Sequence, residues 1–219
     1  MTKTSIFDIE TGALARDRIE EIAPEFKESS VKTGNLGLDK ALEKINLERS
    51  RHIQNIVEKA ALKAEYGQVL AVGIMTDDVA TILHGDEKKI LSSFWEMALA
   101  ALRSGGSRFV GFNCLNFDLP FLLRRSLLND VPVPRDLRPF PRYWPTIFVD
   151  LMEVWKAGDY REMISLDRFC KAAGLNGKNG DGANFQKLYE ENQEEAIAYL
   201  ENDLLITQSL ASKILPLLS

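Results

Sequence analysis

The sequence predicts an α/β domain built on a mixed sheet. Two observations point there: three apolar, strand-like segments fall within the first 84 residues, and strand and helix periodicities alternate from there to the end. A chain of 219 residues, 45% of them hydrophobic, is long enough for one sizeable core and short for two. A single domain over 1–219 is therefore expected, with 12–67 as a helical or loop insertion within it.

Residues 3–11 read as the first strand, with Ile6, Phe7 and Ile9 packing in layers around two acids. A long polar segment follows instead of a tight hairpin. Its second half repeats Leu38, Ala41, Leu42, Ile45, Ile53, Ile56, Val57 and Ala60 at helical spacing, which predicts one or two surface helices. Their role is open between covering a sheet edge and handling substrate. Strands over 68–76 and 79–84, joined through Asp77-Asp78, form an antiparallel meander. Residues 89–103 carry a helical apolar face closed by Gly105-Gly106, and 108–113 read as a fourth strand. A helix over 118–128 tolerates Pro120 in its first turn, where the missing N–H does no harm. After a Pro- and Arg-rich loop, 146–152 is the fifth strand and 166–173 a helix closed by Gly174. A glycine-rich loop over 176–184 leads to the longest helix, 194–217.

Composition excludes some classes and leaves others open. Only Cys114 and Cys170 are present, too few for a disulfide framework and suited to a reducing compartment, with the cytoplasm expected. No apolar run approaches the roughly 20 residues of a membrane span, and Asp8 and Glu10 interrupt the N-terminus before any export signal forms. A soluble protein with no membrane partner is the expectation. The net charge of −5 argues against holding nucleic acid on a broad basic face. It does not argue against a nuclease, whose site can be built from carboxylates.

Asp8 and Glu10 are one residue apart on a strand, so they share a face. Two acids pointing the same way from a buried strand repel, and a cation between them relieves what protonation of one would otherwise relieve. Hard oxygen donors suit Mg²⁺ or Mn²⁺. Asp118 follows the fourth strand, where open α/β sheets bind ligands; as the residue before Leu119-Pro120 it also makes a good helix N-cap. Tyr199 and Asp203, four apart on the last helix, share one of its faces. Taken alone, that pair also fits a packing tyrosine and a solvated acid.

Asp8-x-Glu10, then Asn113-x-x-x-Phe117-Asp118, then Tyr199-x-x-x-Asp203 resembles the four-carboxylate pattern of 3′-to-5′ exonucleases with a ribonuclease H-like fold, in the branch whose third motif carries tyrosine. The likeness continues through Phe148-Val149-Asp150-Leu151, Ser165-Leu166-Asp167 and Gly174-Leu175. It is closest to stand-alone predicted exonucleases related to family-B polymerase proofreading domains. Those proteins share the segment around Ala23-Pro24-Glu25-Phe26 and the helix near 48–62, which proofreading domains lack. The resemblance implies a ribonuclease H-like mixed five-stranded sheet flanked by helices. It also implies two divalent ions, Mg²⁺ or Mn²⁺: Asp8 bridging both, Glu10 and Asp203 completing the first, Asp118 holding the second. Tyr199 would align the attacking water; an unperturbed tyrosine, with a pKa near 10, is a poor general base. The sister branch carries His five residues before the last Asp, where this chain has Ala198; His52 and His84 fall outside the motifs and read as structural or surface residues.

The implied activity is 3′-to-5′ hydrolysis at single-stranded 3′ ends, with DNA ranked ahead of RNA on the likeness alone. A ribonuclease D-like RNA exonuclease and a low-activity nucleic-acid-binding module on the same fold are the alternatives. Thr11, Phe112 and Asn113 are the expected contacts to the terminal nucleotide. Arg138 and Arg142 stand with Arg135, Phe140, Tyr143 and Trp144 in the Pro-rich loop, a mix that suits phosphate contact plus base stacking and equally a self-packed rigid loop. Asp150 is an acid at a strand end, read as structural. Lys171, Lys178 and Lys187 surround Gly177–Gly182, which is no P-loop because no Gly-Lys-Ser/Thr follows.

Overall fold

The computed structural model describes residues 3–139, 143–177 and 185–218. The chain divides into two compact units, Met1–Thr11 with Val69–Ser219, and Gly12–Gln68.

The larger unit carries a mixed five-stranded sheet in the order β3-β2-β1-β4-β5. Its central strand is β1 (Lys3–Ala13), paired in parallel with β4 (Ser107–Gly111) so that Ile6 lies opposite Val110. β4 pairs in parallel with β5 (Phe148–Asp150), Gly111 opposite Asp150. β2 (Gly67–Thr76) and β3 (Val79–His84) form an antiparallel hairpin. Its two-residue turn is Asp77-Asp78, both at positive φ, 52° and 63°, the geometry whose twist matches the flanking strands.

Alternation along β1 sends its side chains to two different layers. Phe7 packs on one face against α3 (Glu87–Ser104), its ring 5.7 Å from Phe94, 5.8 Å from Phe109 and 6.2 Å from Phe148. Ile6 faces the other way, into a core with Val110, Leu151, Leu204 and Leu210. The last two belong to α8 (Gln193–Ile214). α8 can lie close to β2 because Gly73 has no side chain: a Cβ there would sit 2.7 Å from Leu204 Cδ1 and 3.1 Å from Leu200 Cγ. The helix is thus held over the face of β1 from which Asp8 and Glu10 project.

Several expected boundaries shift, each for a local reason. The fourth strand stops at Gly111 and does not reach Asn113, because Asn113 turns to φ 62°. The fifth strand is only Phe148–Asp150; the run expected to continue to Met152 becomes α5 (Leu151–Lys156). Asp150 causes the switch: its carboxylate accepts the Met152 N–H at 2.8 Å and caps the new helix. α4 (Asp118–Leu128) and α6 (Leu166–Ala172) fall where expected to within a residue. α7 (Phe185–Glu191) precedes the last helix. Of the glycine-rich loop, 178–184 lies outside the described residues. In the Pro-rich segment Leu137 is fully buried, the Trp144 ring meets Phe148 of β5 edge-on at 6.1 Å, and Tyr143 is exposed.

The smaller unit holds α1 (Arg16–Ile22) and α2 (Leu38–Glu58), one long helix over the first part of the helical pattern. Ile19 and Ala60 are its fully buried residues, and α2 itself buries none. Arg49 pairs with Glu28 and lies over the Phe26 ring at 5.9 Å, while His52 Nε2 meets the Pro24 carbonyl at 3.0 Å. Among the described residues no helix is long and apolar enough to cross a membrane.

Gly111 ends β4 where the chain folds back on itself. A Cβ there would lie 2.7 Å from Cys114 Cβ and 3.2 Å from the Phe7 carbonyl oxygen, and neither atom is the free end of a flexible chain. Gly111→Ala is expected to cost about 1–3 kcal/mol in urea denaturation; an unchanged midpoint would show that the turn yields freely.

Candidate functional site

Four acids from three parts of the chain meet at the end of β1. Asp8, Glu10 and Asp203 each offer a carboxylate oxygen, all within 4.8 Å of one another. Asp8 is half-buried; Glu10 is 9% and Asp203 1% exposed, with both Asp203 oxygens buried. β1 supplies the first two by alternation and α8 the third, held in place by the Leu200 and Leu204 contact over Gly73.

Asp118 joins them from the other side of the strand's backbone. β4 has ended at Gly111, and Ile9 N–H, lying between the two β1 acids, donates instead to Asp118 Oδ1 at 3.2 Å. This overturns the N-cap reading: Asp118 is the first residue of α4, the cap position is Phe117, and no side chain caps the helix. The turn before it closes through backbone bonds, from Asn116 N and Phe117 N to the Asn113 carbonyl at 3.1 and 3.0 Å.

Asp150 holds that turn in shape. Its Oδ1 accepts from Asn113 N at 2.7 Å and its Oδ2 from Leu115 N at 3.0 Å, in addition to the Met152 bond. Three amides on one buried carboxylate explain how Asn113 keeps a left-handed backbone that costs a non-glycine residue energy. Asn116 also donates to Glu153 of α5 at 2.9 Å. Asp150 thus acts on the site through the loop that delivers Asp118.

The electrostatics are those of a site short of positive charge. Burial first, then the neighbouring Asp8, pushes the Asp118 carboxyl well above the ordinary carboxylate range; bonds from its own and the Ile9 amide oppose that rise, and the Asp150 charge adds to it. Burial also raises Asp150 against its three amide donors. Burial of a carboxylate, with like charge beside it, is what raises such values. The donor set is all hard oxygen and fits Mg²⁺ or Mn²⁺ rather than a soft metal. Asp8, Glu10, Asp203 and Asp118 are the residues that could hold it.

Tyr199 is half-buried on α8, one turn before Asp203, with its ring 6.3 Å from Phe185. Thr11 follows Glu10 on β1 and is half-buried. Phe112, also half-buried, packs on the core that holds Ile6 and Leu204. Arg138 is exposed and lines a separate cavity of about 600 Å³ with Arg135, Tyr143 and Trp144; none of the four acids lines it. Arg142 lies outside the described residues, as do Phe140 and Lys178. Lys171 pairs with Asp167 at 2.8 Å. The sequence reading missed α7 and its aromatic contact to Tyr199; the i, i+4 spacing of Phe185 and Tyr189 was the available signal.

A family described as a predicted 3′-5′ exonuclease related to the exonuclease domain of PolB matches residues 49–213. That stretch contains Asp118, Tyr199 and Asp203, while Asp8 and Glu10 precede it. No curated protein matches the sequence. Among solved structures, the family B DNA polymerase from the hyperthermophilic archaeon Pyrobaculum calidifontis is similar at a TM-score of 0.61 and 17% identity, over 99% of this chain and 25% of that one. The chain spans a quarter of that polymerase's length, and the likeness is one of fold.

The raised Asp118 value sets a pH dependence. In the folded chain this carboxyl keeps its proton where the unfolded chain, near 3.8, has lost it. The stability it contributes is therefore full below that ordinary value and is lost as pH rises through the raised one. In chelator, Asp118→Asn should gain melting temperature over the parent protein progressively as pH rises, since the amide carries no charge to repel Asp8. A difference that stays constant with pH would contradict this.

Proposed function

We infer, from a chain that belongs to the family of predicted 3′-5′ exonucleases related to the exonuclease domain of PolB, that it hydrolyses phosphodiester bonds one nucleotide at a time from the 3′ end of single-stranded DNA, with divalent cations at the acid cluster. The observation that carries this reading is the convergence of Asp8, Glu10 and Asp203 oxygens within 4.8 Å beside buried Asp118. Such a cluster suits neither a structural core nor a binding face for a polyanion unless cations complete it.

Asp8, Glu10, Asp203 and Asp118 would hold the cations. When bound, they supply Lewis-acid stabilisation of the charge that builds on the phosphoryl oxygens and make water a competent nucleophile at neutral pH. The Tyr199 hydroxyl orients that water by hydrogen bonding. Water oxygen forms the new bond to phosphorus, the bond to the 3′ oxygen of the preceding nucleotide breaks, and that oxygen takes a proton, leaving a new 3′ hydroxyl and a free nucleoside 5′-monophosphate. Asn113 and Phe112, on the turn that Asp150 braces, border the position of the terminal nucleotide, and Thr11 extends that border along β1. Arg138 is assigned to the strand further out. One domain carries the four acids and Tyr199, with about 12–67 as a helical insertion within it. The two buried free thiols, Cys114 and Cys170, support the cytoplasm as its compartment.

Incubating 5′-labelled single-stranded DNA and RNA of equal sequence with Mg²⁺ or Mn²⁺ should give a DNA ladder that shortens from the 3′ end and vanishes in Asp8→Ala. A ladder on RNA alone would move the substrate to RNA, and cleavage that survives Asp8→Ala would rule out this site. Separately, either cation without substrate should raise the melting temperature by mass action. Asp8→Asn/Asp203→Asn should lose that rise; an equal rise in the double variant would show the cation binding elsewhere.

A further inference from the structure

We propose that Phe185 on α7 is the positioning residue for Tyr199, setting where its hydroxyl points. The proposal rests on the nuclease reading above and goes beyond it, since α7 carries none of the motif residues.

Tyr199 is the half-buried first member of a row of rings that ends at exposed His84. Phe185 is 2% exposed, and its ring stands 6.3 Å from Tyr199 at 57° and 5.8 Å from Tyr189 in a stacked arrangement at 21°. Tyr189 meets the His84 ring edge-on at 6.4 Å, with its hydroxyl 3.3 Å from Nδ1. His84 ends β3 opposite Ala71 of β2, and Gln193 of α8 reaches the same His84 nitrogen at 3.5 Å. The row is therefore fixed to the sheet at its far end. Below it, Phe185 packs with fully buried Ala71, Ala196 and Leu200, so its own ring has little freedom.

The backbone alone does not fix the hydroxyl of Tyr199. α8 fixes where the residue starts, one turn before Asp203, but rotation about two side-chain bonds swings the hydroxyl through several ångströms. A tilted ring neighbour at 6.3 Å narrows that swing. A group that aligns a reacting water needs this restraint, because a misplacement of about 1 Å can lower a rate on the order of 100-fold. Two nearby rings from a seven-residue helix are an economical way to supply it. Loss of the Phe185 ring should leave the acid cluster intact and let Tyr199 wander.

The test is a double-mutant cycle on the full chain with single-stranded DNA. Phe185→Leu should lower kcat about tenfold with KM little changed, and should keep the cation-induced rise in melting temperature that reports on Asp8, Glu10 and Asp203. In a Tyr199→Phe background, with the hydroxyl already gone, the same substitution should lower kcat no further. Phe185→Met, which fills the space without a ring, is read the same way should Phe185→Leu fold poorly. An unchanged kcat in both variants, or a loss that multiplies fully with that of Tyr199→Phe, overturns the proposal while leaving the nuclease reading standing. A parent protein with no nuclease activity overturns both.

Discussion

The hydrogen bond from Ile9 N–H to Asp118 joins the strand that carries Asp8 and Glu10 to the helix that begins at Asp118, and the placing of Asp118 in the site depends on it. Ile9 lies between Asp8 and Glu10 in sequence, and the acceptor that satisfies its amide, Asp118, is close enough to Asp8 to feel its charge. β4 could have offered a backbone carbonyl there, but the strand ends at Gly111. A carboxylate takes that place. The fold thus brings a third negative group close to two others through an ordinary demand of sheet edges, that a buried N–H find an acceptor. Asp203 arrives by another route, through close packing of α8 on a glycine of β2.

What was legible in the sequence follows this division. β1, β3 and α4 were readable because their signals are local: alternation around Asp8 and Glu10, a two-residue Asp77-Asp78 turn, and a helical face that begins at Asp118. The acids were readable as a set only because their order resembles a known pattern; no spacing in the sequence says that Asp118 reaches Ile9. α5 was hidden inside Phe148-Val149-Asp150-Leu151-Met152, an apolar run whose period does not distinguish strand from helix. The decision there belongs to one side chain, the Asp150 carboxylate, which accepts amides from 113 and 115 as well as 152. α7 was hidden by its length, too short for two full repeats of a helical face. Arg138 could be read from sequence only as one of a basic and aromatic group; the structure adds its place, a cavity lined with Arg135, Tyr143 and Trp144 and by none of the acids.

The site is built at some expense to stability, and the surrounding structure shows how that is withstood. Glu10, Asp118, Asp150 and Asp203 are all buried charges or would-be charges. Asp150 offsets its burial with three amide donors; Asp118 has two and is pushed far toward its neutral form by burial and by Asp8. A domain with a loose core would respond by moving the acids apart. Here β1 is pinned from behind: Phe7 contacts Phe94, Phe109 and Phe148, all with little or no exposure, and the strand cannot shift without breaking that cluster. Alternation makes the arrangement possible, because the residues that hold the strand and those that carry its charge are neighbours in sequence and opposite in direction.

The same reasoning bears on how a protein of net charge −5 can act on a polyanion. An acidic site repels a phosphate until cations occupy it, so affinity for the strand and affinity for the cation are linked, each raising the other through one set of oxygens. A broad basic face would bind nucleic acid whether or not the site was loaded, and would hold it there unproductively. On the proposed reading, the carboxylates would make productive binding conditional on the cations. Rigidity would make that condition strict: a flexible cluster would relax by separating, whereas Asp8, Glu10 and Asp203, fixed by Phe7 behind β1 and by Leu200 and Leu204 against Gly73, keep one oxygen each within 4.8 Å, a crowding that a divalent cation would relieve.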